Sequence, residues 1–236
     1  MNPTIKWAAE LSHVREVSLR GVADLEFWKQ RLRPQGLLPA DHDGQAQILI
    51  LAADARFRGI RFRELSVSVL VAPPQKEMGD RAAYLLHAFN SNRFFAFCER
   101  KFFATPYSHA RVDVSATLPA WIDVTFNGKR LFAATMQRAE VAPQRQPSRR
   151  GEDGWEGPVF LPNGNKHFFA RVHGVTETYP FDPATDSIEI APASGDEKLT
   201  GLSALAALSA SAFVPRAWDI RPDCMHAKSK TCRNSL

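Results

Sequence analysis

Residues 60–71 carry the feature that most constrains the fold, a regular alternation of polar and apolar side chains. The apolar residues lie on one face of the extended chain: Leu65, Val67, Val69 and Val71. The polar residues lie on the other face: Glu64, Ser66 and Ser68. A period of two is typical of a β-strand with two different faces. The polar face either lies in water or lines a ligand cavity inside a β-barrel.

Several other segments have strand or helix patterns. Further strands are predicted at 45–53, 84–90, 108–116, 166–173, 175–181 and 187–191, with a hairpin at 121–136 around Asn127-Gly128. Helices are predicted at 22–33 with Asp24 as N-cap, at 94–102 capped by Asn90 or Ser91, and at 199–210. Residues 142–157 have loop composition. Many short strands with few helices predict a β-rich α+β fold in one domain, 1–236, with a core of about 25–220 and a basic tail at 225–236.

Charge and composition exclude several classes of partner. The net charge is +5, but the charges are spread along the chain, so we expect no nucleic-acid partner. No stretch is apolar for the roughly 20 residues that a bilayer-spanning helix needs, so we expect no membrane partner. The three cysteines are scattered and the N-terminus has no apolar core of signal-peptide length, which together indicate a reduced, cytoplasmic protein.

Nucleotide-binding, serine-hydrolase and zinc-protease motifs are absent from the sequence. Cys224 and His226, with Cys232, are weak evidence for a metal, because one Cys-x-His pair does not make a ligand set. We therefore expect no metal and no cofactor.

The segment 100–111 (RKFFATPYSHAR) holds most of the candidate binding groups. It is predicted to run from a helix end through Pro106 into a strand with a polar face. Arg100, Tyr107, His109 and Arg111 supply cations and hydrogen-bond donors suited to a carboxylate. In the alternative interpretation, Arg100 pairs with a nearby acid and Tyr107 packs at the helix–strand corner.

Three segments together resemble the acetoacetate decarboxylase-like superfamily. FRELSVSVLV at 62–71 is similar to that family's strand with an aromatic-x-Glu, and WEGPVFLPNGNKHFFARVHGVTETYPF at 155–181 is similar to its late strands. RKFFATPYS at 100–108 resembles its Arg-Glu-x-x-Gly-aromatic-Pro-Lys-Lys signature, and an uncharacterised bacterial branch has Pro-Tyr there. The resemblance spans about 25–220. It implies a closed, mostly antiparallel β-barrel with helices at its rim and a central cavity, and it makes a homo-oligomer plausible.

The signature region also departs from the family pattern. Arg100, Pro106 and Glu64 match the family's Arg, Pro and pocket Glu. The places of the signature Glu, Gly and aromatic are taken by Lys101, Ala104 and Thr105. Tyr107 and Ser108 stand where the family has its two lysines, one of which forms a Schiff base with a keto acid. Lys101, about two helical turns away, Lys166 and Lys228 are other amines without positional support.

Two functions remain open from these residues. The first is a barrel that binds a small anionic or carbonyl ligand without a Schiff base, as a lyase-like or acid/base catalyst if it is an enzyme. In that function Glu64, Tyr107 and His109 are the catalytic candidates, and Arg100, Ser108 and Arg111 are the ligand-binding candidates. The second is a non-catalytic structural or binding protein whose barrel is filled by some of its 16 Phe and 5 Trp side chains.

Overall fold

The protein is described by a computed structural model that covers residues 7–73, 82–137, 144–145, 154–162, 166–191, 200–229 and 232–233. The strands in the first half of the chain are β1 Trp7–Asp24, β2 Asp41–His42, β3 Gln45–Phe57, β4 Ile60–Val71, β5 Ala82–Asn90, β6 Tyr107–His109 and β7 Arg111–Ser115. The later strands are β8 Trp121–Phe126, β9 Lys129–Thr135, β10 Gln144–Arg145, β11 Gly154–Phe160, β12 Lys166–Gly174, β13 Glu177–Pro180, β14 Ser187–Ile190, β15 Val214–Ser229 and β16 Cys232–Arg233. The α-helices are α1 Leu25–Leu32, α2 Arg93–Cys98 and α3 Thr200–Ala210.

Seven strands close into a barrel in the order β15–β1–β3–β4–β5–β11–β12, with β12 pairing back to β15. The pairing of β5 with β11 is parallel, and the other six neighbours in the ring are antiparallel. The predicted closed, mostly antiparallel barrel with a few flanking helices is therefore confirmed. A second sheet, in the order β14–β9–β8–β7, lies beside it.

The main hydrophobic core lies outside the barrel wall, between the wall and the elements that cover it. It joins the apolar face of β4 to α1, α3 and the second sheet, through residues such as Leu65, Val67, Trp28, Leu205 and Phe132. Each of these side chains is fully buried and contributes about 1.5–3 kcal/mol by leaving water. The apolar face of β4 is thereby turned outward, so its polar face, with Glu64, points into the barrel.

Local sequence signals account for α1 and for the β8–β9 hairpin as predicted. The Asp24 carboxylate accepts a hydrogen bond from the Phe27 N–H at 2.6 Å, which caps α1. Asn127 and Gly128 have φ of 48° and 76°, the left-handed conformation that a two-residue hairpin turn requires.

Other segments differ from the sequence predictions. The cap of α2 is Asn92, whose side chain accepts from the N–H groups of Phe94 and Phe95, rather than Asn90 or Ser91. Of residues 142–157, predicted as loop, 144–145 form β10 and 154–157 belong to β11, whereas 142–143 and 146–153 lie outside the described residues. β1 was not predicted. In the predicted tail 225–236, residues 225–229 continue β15 in the barrel wall and 232–233 form β16, whereas 230–231 and 234–236 lie outside the described residues. Among the described residues, none of the helices has the length and apolarity to cross a bilayer.

Candidate functional site

A carboxyl group and a phenol meet inside the barrel. The Tyr107 hydroxyl donates a hydrogen bond to Glu64 Oε1 at 2.8 Å, and the Asn90 amide donates to Glu64 Oε2 at 3.2 Å. The strand register explains the contact, because Glu64 of β4 pairs with Asn90 of β5, and Tyr107 of β6 pairs with Ala88 two residues before Asn90. Paired residues project from the same face of a sheet.

The segment before Tyr107 brings a second acid to the same region. After α2 the chain forms a π-helical turn, Glu99–Phe103, a geometry frequently found at functional sites. The turn ends at Ala104 in the left-handed conformation, with φ of 56°. Glu99 points inward, and the Thr105 hydroxyl donates to its Oε2 at 2.9 Å.

Lys228 of β15 is the amine that the structure places in this site. Its ammonium group forms a hydrogen-bonded ion pair with Glu99, and the two side chains are 17% and 20% exposed. It also lies over two aromatic rings, 4.8 Å from the Phe103 centroid and 5.2 Å from the Phe168 centroid. The carboxylate and the two aromatic faces all attract a cation, so together they fix the position of the ammonium group.

The electrostatics of the site favour protonated forms of Glu64 and Tyr107. Burial, followed by the charge of Glu99, raises the pKa of Glu64, although Tyr107, Lys228 and Asn90 oppose the shift. Burial, together with the charges of Glu64 and Glu99, raises the pKa of Tyr107 well above its usual value. Tyr107 is therefore a hydrogen-bond donor at neutral pH. Glu64 is half-buried, so it combines a raised pKa with access to solvent.

A second polar cluster lies on the interior face of β1 and β15. Its Glu16 is in the same cross-strand row as Glu64, because Glu64 pairs with Ala53 and Ala53 with Glu16. Glu16 is fully buried, and its carboxylate contacts the Arg221 guanidinium and, at 2.6 Å, His226 Nε2. Burial would raise the pKa of Glu16, but the charge of Arg221 and the hydrogen bond from His226 outweigh burial and lower it.

The same cluster holds the residues that come nearest to a metal-ligand set. Donor atoms of Glu16, Cys224 and His226 lie within 4.8 Å of one another. However, both carboxylate oxygens of Glu16 are already engaged, and the adjacent Arg221 cation opposes the binding of a second cation. Burial also raises the pKa of the Cys224 thiol, which stabilises its protonated form. These contacts are those of a buried ion-pair network, and they do not fit a metal.

The structure brings together only part of the predicted site. Glu64 and Tyr107 meet as described, whereas Ser108 is half-buried and adjoins Tyr107 on the opposite face of β6. His109 and Arg100 are exposed, as is Lys101. Arg111 is exposed and pairs with Asp113 at 2.7 Å. Within the described part of the chain, no hydrogen bond or ion pair connects Ser108, His109, Arg100 or Arg111 to Glu64.

Sequence reasoning did not place three residues in this site: Glu99, Asn90, which was considered only as a helix cap, and Lys228, which was named only as an amine without positional support. The available signal for Lys228 was the period of two in Cys224, His226 and Lys228, which places all three on one face of a strand. Glu99 immediately precedes the residue matched to the signature Arg, so it fell outside the motif.

Structural comparison shows the fold. No protein-family model and no curated protein sequence matches the chain. An acetoacetate decarboxylase from Legionella pneumophila subsp. pneumophila str. Philadelphia 1 is similar, with a TM-score of 0.60 and 11% identity over 99% of this chain and 90% of that one. Another acetoacetate decarboxylase structure gives a TM-score of 0.62 and 12% identity over 99% and 92%. The enduracididine biosynthesis enzyme MppR, in complex with pyruvate, gives a TM-score of 0.60 and 12% identity over 98% of this chain and 92% of that one. At these identities the likeness establishes the fold alone, and at that level it confirms the predicted resemblance.

Proposed function

We propose that this chain, which has the acetoacetate decarboxylase-like fold, binds a small anionic or carbonyl-containing organic acid inside its barrel without forming a Schiff base. The observation that carries the proposal is the hydrogen bond from Tyr107 to Glu64, on the interior face of the barrel but still within reach of solvent. A carboxyl group and a phenol on the interior face of a barrel are costly unless each finds a polar partner. A ligand oxygen entering the barrel would meet both groups.

The chemistry of the site suits a carbonyl or carboxylate oxygen. Tyr107 and Asn90 supply hydrogen-bond donors beside Glu64, whose pKa is raised, and Lys228 supplies a positive charge on the same side of the barrel. A raised pKa is also what an acid/base group needs for proton transfer near neutral pH. MppR, which shares the fold, was solved with the keto acid pyruvate, which supports this class of ligand.

The absence of a Schiff base is proposed from the positions and contacts of the lysine side chains. Tyr107 and Ser108 have no amine at the signature positions, and Lys101 is exposed. Lys228 is engaged by the carboxylate of Glu99 and lies over two aromatic rings. Its amine would have to leave this ion pair before it could attack a ligand carbonyl, and the structure places an acid beside it, whereas a nucleophilic lysine is activated by an apolar pocket or a neighbouring cation.

Ligand binding is tested by thermal shift and by calorimetry with pyruvate, acetoacetate and other small carboxylates. We expect binding by the wild type, weaker binding by Glu64→Gln and Tyr107→Phe, and unchanged binding by the matched controls Glu26→Gln on α1 and Tyr84→Phe on β5. An anion beside Glu64 further favours its protonated form, so affinity should rise as pH falls, and Glu64→Gln should flatten that dependence. If no carboxylate shifts the melting temperature, ligand binding is refuted.

Covalent chemistry is tested separately by borohydride reduction in the presence of acetoacetate. We expect the intact mass to stay unchanged. A reduced adduct mapped to Lys228 would overturn the proposed non-covalent binding.

The alternative function, a filled non-catalytic barrel, is favoured by one observation. Phe62 packs inside the wall with Val14, Ala55 and Cys224, and Phe95 of α2 covers that cluster. If the cluster closes the interior, Glu64→Gln will change stability and leave every ligand response at zero.

A further inference from the structure

The segment formed by α2 and the π-helical turn has two different faces. Its inner face reaches the barrel, since Phe95 packs on Phe62 at 5.3 Å between ring centroids and Glu99 binds Lys228. Its outer face exposes Phe94, Phe97 and Phe102, at 66%, 47% and 69% of their surfaces. Single exposed apolar residues are ordinary, but three aromatic rings within nine residues form a patch that typically marks an interaction surface.

The exposed rings are contiguous and are bordered by cations. Phe94 and Phe97 are one helical turn apart, and the rings of Phe97 and Phe102 touch edge to face at 6.4 Å. Arg93, Arg100 and Lys101 lie three or four residues from Phe97 along the same segment, and all three are exposed. We call these six residues the aromatic–basic face.

Among the described residues, the cations of this face have no acidic partner, whereas the neighbouring acids are paired with other cations. In the portion of the chain that the structure describes, no ion pair involves Arg93, Arg100 or Lys101, whereas Glu99 is paired with Lys228 and Asp113 with Arg63 and Arg111. The face therefore presents a net positive charge next to exposed aromatic surface.

The β3–β4 hairpin extends this surface. Phe57 of the hairpin packs on Phe95 of α2 with ring centroids 6.0 Å apart, so the two elements lie side by side. Next to Phe57, Arg58 stacks over its ring at 5.5 Å, and Ile60, which pairs with Phe57, is 52% exposed. The hairpin thus adds one more cation and one more apolar side chain at the same end of the barrel.

We propose that the aromatic–basic face lies on an anionic phospholipid bilayer. Exposed aromatic rings interleaved with Lys and Arg are what an interfacial surface needs, since the rings enter the headgroup boundary and the cations meet lipid phosphates. A two-fold contact between copies would set this positive patch against itself, and like charges oppose such an interface. Lying on a bilayer requires no spanning segment, so the lack of an apolar stretch in the sequence does not bear on it.

The test is co-sedimentation of the full chain with vesicles of phosphatidylcholine alone and of an equimolar mixture of phosphatidylcholine and phosphatidylglycerol. We expect binding to the mixed vesicles that weakens in high salt, and none to the neutral ones. Each cation near an anionic surface contributes about fivefold to partitioning, so Arg93→Gln/Arg100→Gln/Lys101→Gln should reduce binding by about a hundredfold. Phe94→Ser/Phe102→Ser should also release the protein.

Matched control variants separate this face from general surface charge. Arg31→Gln/Arg33→Gln/Lys129→Gln removes the same charge from exposed positions elsewhere, and Leu38→Ser removes a side chain that is 64% exposed. Both controls should bind the mixed vesicles much more strongly than the face variants do. Failure of the wild type to bind, or equal loss in the controls, would overturn the proposal. Light scattering that shows an oligomer dissociated by the face variants, without vesicle binding, would assign the face to a contact between copies.

Discussion

The buried histidine of β5 makes the stability of the fold depend on pH. His87 is completely buried, its ring lies 4.8 Å from that of Phe89, and neither of its nitrogens has a hydrogen-bond partner among the described residues. Burial lowers the pKa of His87 from 6.5 to about 4, because the charged ring would be desolvated without compensation. The folded protein therefore holds a neutral imidazole that the unfolded chain would protonate.

The sign and size of the effect follow from proton linkage. Between the unfolded pKa of 6.5 and the folded pKa of about 4, the unfolded chain binds more protons, so the free energy of unfolding falls as the pH falls. The loss amounts to about 2 kcal/mol between about pH 7.5 and about pH 5. It approaches about 3 kcal/mol below the folded pKa, at 1.36 kcal/mol per pKa unit.

The assay is urea unfolding followed by circular dichroism at about pH 7.5 and about pH 5, for the wild type and for His87→Met. Methionine fills an irregular apolar site without a titrating group, so the variant should lose about 2 kcal/mol less than the wild type over this range. The raised pKa of Glu64 acts in the opposite direction, but it is common to both proteins and cancels in the comparison.

A control for this experiment is available on the surface. His42 has a side chain that is 65% exposed, and His42→Gln should keep the full pH dependence of the wild type. If the wild type and His87→Met lose the same free energy of unfolding between the two pH values, the assignment of the effect to His87 is refuted.

Three further predictions concern the candidate site. Ala104→Gly should raise the free energy of unfolding by about 0.5–1 kcal/mol in urea titrations, because an alanine at φ of 56° is strained and glycine is not. Tyr107→Phe should lower stability at neutral pH by about 1–2 kcal/mol and raise the pKa of Glu64, followed by carboxyl NMR titration, because the carboxyl loses its hydrogen-bond donor. Lys228→Met should cost about 1–3 kcal/mol by leaving Glu99 unpaired, and Glu99→Gln/Lys228→Met should recover most of that loss; full additivity of the two single variants would contradict the pairing.

Much of the architecture could be predicted from local patterns. The alternation around Glu64 identified β4 with both of its faces, and Asn127-Gly128 identified the β8–β9 hairpin, because each signal lies within a few residues of chain. The resemblance carried by the three segments 62–71, 100–108 and 155–181 together predicted the closed barrel. The strand and turn signals can be read from sequence because an apolar strand face and a turn with positive φ each restrict the residue types at those positions.

The strands that were missed carry charge on their inner face. Glu16 of β1 and Arg221 and His226 of β15 alternate with apolar residues, but their polarity is explained only when β1 and β15 pair. The partners are about 200 residues apart in the chain. A pattern search reads such residues as exposed, which is why a tail was predicted where the barrel wall continues.

The residues at the signature positions of this chain have a defined geometry. Ala104, in the place of the signature Gly, adopts the left-handed conformation that precedes β6. Tyr107, in the place of a signature Lys, donates a hydrogen bond to Glu64. The amine of this site comes from β15, where Lys228 is paired with Glu99. A ligand carboxylate must therefore compete with Glu99 for that cation, whereas a carbonyl oxygen that accepts from Tyr107 displaces the hydrogen bond to Glu64 but no ion pair. The binding affinity of neutral carbonyl compounds should therefore depend less steeply on pH than that of keto acids, because only the acid adds a charge beside Glu64.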